Sequence, residues 1–429
     1  MSPRKAQSDT HESEDTGEAA IFVGQTDKMR SPFSLQPDRV KGGSYTYLRD
    51  LQGARRGACS IAGFLCWVEM EVQGRLDGTG GGCVNGPTLD LLSLLATIGA
   101  ILRHREAIWK RILGLAIALV FPGQGSQAVG MGQALAEAFP PAKAVFDEVD
   151  DALSQNLSQI IWGGPKDELT LTENAQPALM AMSMAVMRVL ETEYGFSLKD
   201  KIKFVAGHSL GEYSALAAAG SFSLADTARL LKLRGQAMQA AVPVGEGGMA
   251  ALLGVGLDVA QKVADEAAQG DVCQVANDNE PTQVVLSGSK SAIDRVIEIS
   301  KSHGVRRALP LPVSAPFHCA LMQPAAEAMA HALGEVKIED AAVPVIANVL
   351  AQPITEPDEI RKRLVEQVTG TVRWREGVSY MTANGISDIY EIGSGKVLAG
   401  LVKRIEKSLN ATSIGAPDDF EAARGGLIE

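Results

Sequence analysis

The chain has 429 residues, 46% of them hydrophobic and 21% charged, and a formal net charge of -11. That balance fits a soluble globular protein with room for one large domain carrying an insertion, or for two or three ordinary ones. The negative charge argues against a nucleic-acid-binding role, which needs a basic surface against phosphates.

Residues 1–114 form an unpatterned N-terminal extension, with a polar start and the glycine-rich run "GRLDGTGGGCVNGP" at 74–87. No helical or alternating period runs through residues 1–85, so the extension is read as disordered or as non-native sequence upstream of a later start. The apolar runs Leu91–Leu102 and Ile112–Phe121 are too short to span a membrane and flank the charged "RHREAIWKR". No secretory signal is evident. Cys59, Cys66, Cys83, Cys273 and Cys319 make no CxxC pair and no zinc-site spacing. This odd, scattered set suits a reducing compartment, and the protein is read as cytoplasmic.

From residue 115 the texture changes. "LAIALVF" reads as a buried strand ended by the turn "PGQGSQ". Helical periodicity follows, broken at Pro140–Pro141, and "PALMAMSMAVMRVLETEYG" reads as a long helix. "KFVAG" is the next strand and "SLADTARLLKLRGQAMQAA" the next helix, with Ser223 as N-cap. Between Pro243 and Pro312, "MAALLGV", "QVVLSG" and "RRALPLPV" read as strands separated by two helices. This β-α-β-α-β order suits a small ferredoxin-like insertion. "VPVIANV", a helix near 357–368, "ISDIYEIG" and "KVLAGLVKRI" return to the first domain. The alternation predicts an α/β fold whose large domain has a mainly parallel sheet.

Gly207-His208-Ser209-Leu210-Gly211 is a GxSxG pattern between a strand and a helix. Such an elbow is tight enough to exclude bulk from its neighbours and raises a serine hydroxyl at the strand end. The alternative is a packing turn. Ser209 as nucleophile needs a base. His11 and His104 lie in the unpatterned extension, and His303 and His331 in exposed helical surroundings. His208 adjoins the serine, but neighbours on an elbow point apart, which favours a structural role. His318, in the proline-bounded loop "LPVSAPFHCALM", is the candidate base, its alternative being a buried structural histidine. "FPGQGSQ" lets backbone approach a ligand, lacks the GK[ST] ending of a phosphate loop, and is otherwise a plain turn. It could supply an amide to an oxyanion hole, partnering that of Leu210. Arg234 is either a carboxylate clamp or, without context, a solvated surface arginine.

"FPGQGSQ", "GHSLGEYSAL", "LRGQAMQ", "PVSAPFHCALM" and "EIGSGKVLAGLVKR" together closely resemble the malonyl-CoA:acyl carrier protein transacylases of bacterial fatty acid synthesis. The resemblance covers about residues 115 to 410 and preserves motif order. It implies a hydrolase-like large domain over 115–242 and 313–415, a ferredoxin-like subdomain over 243–312, and a tail over 416–429. It implies Ser209 as nucleophile, His318 as base, Gln124 and Leu210 as oxyanion amides, and Arg234 as the partner of malonate's free carboxylate. Gln367 and Asn348 match family positions that orient the histidine, without a triad acid. His208 also matches a family position beside the serine.

The implied reaction is ping-pong malonyl transfer from CoA to the phosphopantetheine thiol of acyl carrier protein. It uses no metal and no bound cofactor, CoA being a substrate and phosphopantetheine the partner's group. The expected partners are malonyl-CoA and acyl carrier protein, with no nucleic acid and no membrane, and the expected state is a monomer. Glu280 and Thr282 stand where smaller residues or glycine are expected, a departure that touches loop shape. Arg306, Arg307 and Lys301 are candidates for docking an acidic carrier, or else form a solvated edge. A serine hydrolase, a polyketide carrier-loading acyltransferase and a non-catalytic scaffold are the rival readings.

Overall fold

The computed structural model describes residues 116–313 and 315–428. The expectations for residues 1–114, including His11, His104, Cys59, Cys66 and Cys83, lie outside the described residues.

Among the described residues, ten strands divide into two sheets. The first six along the chain are β1 (Ala116–Phe121), β2 (Ile202–Gly207), β3 (Gly247–Leu253), β4 (Cys273–Glu280), β5 (Gln283–Ser289) and β6 (Arg307–Pro310). The remaining four are β7 (Val345–Ala347), β8 (Gln352–Ile354), β9 (Ile386–Ile392) and β10 (Asn410–Ile414). The large sheet runs β10-β9-β1-β2-β7-β8, parallel throughout except for the final β7–β8 pair. Its central strands are apolar on both faces because both faces are covered. Leu119, Phe121 and Val205 point into one hydrophobic cluster, while Ala118, Val120, Phe204 and Ala206 point into a second on the other side.

Helix Thr172–Tyr194 is buried along most of its length and packs against helices Pro140–Leu153 and Leu224–Ala240. It starts five residues before the expected Pro177, which sits inside it. Its first turn is held by close packing. A Cβ on Gly235 would lie 2.4 Å from the Cα of Glu173, so glycine in "LRGQAMQ" is what lets the two helices touch. Ser223 caps helix Leu224–Ala240 as expected, its hydroxyl accepting from the Asp226 amide at 3.0 Å.

The small sheet is antiparallel, in the order β4-β5-β3-β6. With helices Leu257–Ala268 and Lys290–Ile299 it has the β-α-β-β-α-β sequence of a ferredoxin-like unit. The expected three strands are therefore four. β4 was missed because "CQVANDNE" is polar, yet Asn277, Asp278, Asn279 and Glu280 are all buried. Their partners explain it. Two bulges bend β4 toward the large sheet's side, where Asp278 N donates to the Val372 carbonyl at 3.0 Å. Its carboxylate accepts from Arg375 at 2.7 Å. Glu280 and Thr282, the departing residues, close the β4–β5 turn on each other, hydroxyl to carboxylate at 3.0 Å.

The "EIGSGKVLAGLV" motif is also explained by packing. The buried Glu391 carboxylate accepts from the amides of Leu398 and Ala399 at 3.0 and 2.8 Å, at the start of helix Val397–Ile405.

Candidate functional site

Ser209 stands at the turn from β2 into helix Gly211–Ala218, with a φ of 54°. That left-handed conformation is uncommon for a residue with a side chain and is held here by its neighbours. A Cβ on Gly207 would lie 1.9 Å from the Gly211 carbonyl, and one on Gly211 would lie 2.2 Å from the Phe121 carbonyl oxygen. The GxSxG spacing is therefore a packing requirement. Asn348, just after β7, completes the clamp. Its Oδ1 accepts from the Ser209 amide at 2.8 Å and its Nδ2 donates to the Gly207 carbonyl at 2.7 Å. Its Oδ1 also accepts from Gln367 Nε2 at 3.3 Å, so Asn348 touches both the elbow and the residue whose carbonyl meets the His318 ring.

His318 comes from the loop after β6, also with a positive φ, 59°. Its Nε2 is 2.8 Å from Ser209 Oγ, and its Nδ1 is 2.8 Å from the main-chain carbonyl of Gln367. With Nδ1–H donating to that carbonyl, the Nε2 lone pair faces the serine. Among the described residues, no carboxylate is bonded to the ring. Burial pushes the His318 pKa down to about 3, with the Arg234 cation adding to the shift and the Gln367 carbonyl opposing it. The imidazole is thus neutral and able to accept a proton near pH 7.

Arg234 is 1% exposed, so the solvated-surface alternative fails. One guanidinium nitrogen donates to Gln176 Oε1 at 2.7 Å; the other donates to Gln367 Oε1 at 2.8 Å and to Ser209 Oγ at 3.2 Å. The group also lies over the Tyr213 ring, 5.7 Å from its centroid. Gln367, from helix Pro357–Thr369, thus touches both His318 and Arg234, one through its main chain and the other through its side chain.

Reading the sequence alone missed Glu212. It is fully buried, and its Oε2 accepts from the Asn348 amide at 3.0 Å and from Gln367 Nε2 at 2.8 Å. Burial raises its pKa to about 7, against the pull of Asn348, Gln367 and Arg234. The signal was available: a single acid in an eight-residue helix otherwise composed of small and apolar residues and Tyr213. Thr172 and Gln176 were missed as well, since they lie in the helix turn before Pro177. His208 turns away from the serine, its Nε2 2.8 Å from Asn279 Oδ1 on β4 and its ring beside Trp374.

A cavity of about 310 Å³ opens between the two sheets. Ser209, His318, Arg234, Gln124 and Leu210 line it together with apolar Met238, Met249, Leu311 and Phe317. Among the described residues, no group of three or more His, Cys, Asp or Glu is placed to hold a metal ion, and no helix is long and apolar enough to cross a membrane.

A serine on a strand-to-helix elbow, a neutral histidine on its hydroxyl and a buried guanidinium beside both describe an acyltransferase site, and residues 118–415 match the family model described as acyl transferase domain. The chain is 46% identical over 308 residues to the malonyl CoA-acyl carrier protein transacylase of Bacillus subtilis (strain 168), covering 72% of this chain and 96% of that protein. It is 44% identical to the Escherichia coli (strain K12) transacylase, covering 71% and 98%. Among solved structures, an acyl-carrier-protein-S-malonyltransferase from Bartonella henselae is 55% identical with a TM-score of 0.72, covering 73% of this chain and 99% of that one. The chain belongs to the malonyl-CoA:acyl carrier protein transacylase family.

Proposed function

We propose that the chain transfers a malonyl group from malonyl-CoA to the phosphopantetheine thiol of an acyl carrier protein by a ping-pong route through malonyl-Ser209. The observation that carries this reading is the convergence on one hydroxyl. Ser209 Oγ lies 2.8 Å from a neutral imidazole nitrogen and 3.2 Å from a buried guanidinium. The first suits nucleophile activation, and the second suits an acyl group that carries a carboxylate.

His318 Nε2 takes the Ser209 proton as Oγ attacks the thioester carbonyl. The oxyanion is received by the main-chain amides of Gln124 and Leu210. As the tetrahedral intermediate collapses, the C–S bond breaks and the CoA sulfur leaves with the proton from His318. The carrier's thiol then gives its proton to His318, attacks the malonyl ester, and Ser209 recovers its proton as the new thioester forms. Gln367 holds the histidine tautomer, Asn348 holds the elbow, and Arg234 pairs with the malonyl carboxylate. The product serves fatty acid elongation, and the protein acts as a cytoplasmic monomer.

Arg234→Ala tests the specificity assignment. Malonyl-CoA acylation should fall by about 100-fold or more, the scale of a lost buried charge pair. Acetyl-CoA acylation should fall far less, so that discrimination collapses. Unchanged discrimination in stopped-flow acylation assays would remove Arg234 from this role.

A further inference from the structure

The hydrogen bonds of Arg234 continue past Gln176. Gln176 Nε2 donates to Thr172 Oγ1 at 2.9 Å, and the Thr172 hydroxyl donates to Gln124 Oε1 at 2.9 Å. Donors run one way along this chain, from the guanidinium to Gln176, to Thr172, to Gln124. A threonine hydroxyl has a single hydrogen. Because it is given to Gln124, Thr172 can only accept from Gln176, which turns the Gln176 carbonyl toward Arg234. Thr172 and Gln176 are each 1% exposed and sit on the buried helix Thr172–Tyr194. Gln124 differs: it is exposed, in a turn whose next residue, Gly125, has a φ of 101°. Its side chain is thus anchored to a rigid helix at Thr172.

From this geometry we propose that Thr172 is a positioning residue that ties the Gln124 turn to Arg234 through Gln176. The Gln124 amide is then held in place by the same network that holds the guanidinium. The inference rests on the roles given above to Gln124 and Arg234, and deepens them. Thr172 touches no reacting atom, so its loss should slow the chemical step rather than weaken binding.

The test is a double-mutant cycle on the intact protein, read as the single-turnover rate of Ser209 acylation by malonyl-CoA. Thr172→Val, close in shape, should lower the acylation rate constant about 10-fold, the effect of one lost hydrogen bond, with KM changed less than about twofold. Thr172→Ser, which keeps the hydroxyl, should stay within about twofold of the parent. Gln124→Met breaks the tether from its exposed end and carries the same expectation should Thr172→Val fail to fold. The double variant should be no slower than the slower single one. Wild-type rates in both single variants, or losses that simply multiply in the double variant, would overturn the tether while malonyl-Ser209 still formed. Absence of malonyl-Ser209 in the parent protein would instead remove the reading on which the tether rests.

Discussion

Ser209 and His318 both occupy left-handed backbone conformations, and Ser209 is held there by contacts that a single added methyl group would break. Gly207→Ala would drive a Cβ into the Gly211 carbonyl at 1.9 Å, a clash neither backbone can relieve without opening the elbow. The serine elbow was legible in the sequence because its constraints are local: two glycines, a strand before and a helix after. The burial of Arg234 was not, because nothing within a few residues of it announces that Gln176 and Gln367, 58 and 133 positions away, will enclose it. Glu212 carries a testable consequence of the same burial. Its folded pKa of about 7 lies above its ordinary 4.5, so the folded state holds a proton that the unfolded state has released. That stabilisation is fully present below pH 4.5 and is lost as pH rises through 7. His318, depressed to about 3, acts in the opposite sense, and its contribution is lost as pH falls from about 6.5 toward 3. Between pH 6 and 8 Glu212 alone lowers stability by about 1 kcal/mol, and His318 and His208, both with pKa values lowered by burial, oppose it. Glu212→Gln should therefore shift the pH 6–8 slope of denaturant midpoints upward relative to the parent; an unchanged slope would assign the titration to another group.

At the scale of elements, strand β4 shows where pattern reading fails. Its polar residues lack an apolar alternation because they join the small sheet to the large domain, with Asp278 on Arg375, Asn279 on His208 and Glu280 near Arg404. The apolar strands β1 and β2, covered on both faces, were readable as continuous runs. The start of helix Thr172–Tyr194 was obscured by Pro177, since proline inside a helix is rare enough that it reads as a first residue. The Asp278–Arg375 pair is the strongest link in this seam, with Asp278 1% exposed. Asp278→Ala would leave the partly buried Arg375 without its partner, costing about 3 kcal/mol. Hydrogen exchange should then report faster opening at β4 and at residues 371–375. Protection equal to the parent's in those segments would mean that the backbone bonds alone hold the seam.

Across the whole molecule, the cavity lies where the parallel sheet presents Ser209 to the small sheet, with Arg234 beside the serine and Met249 and Leu311 lining the cavity from the small sheet's side. Exposed Arg306 and Arg307 lead along the free edge of β6 into Leu311, Pro312 and Val313 at the cavity. This places positive charge on the strand that leads to the cavity, in a protein whose net charge is -11. Replacing both arginines with glutamate should raise the carrier-protein KM about 10-fold at low salt and less at high salt. A carrier KM that does not move would clear this edge of a docking role. The central claim, a malonyl group carried on Ser209, is tested most directly by intact-protein mass after brief mixing with malonyl-CoA and again after adding phosphopantetheinylated carrier protein. The account predicts a malonyl-sized adduct that is absent from Ser209→Ala and that moves to the carrier. An adduct lost to water as fast as to the carrier, or none on the folded protein, would contradict it.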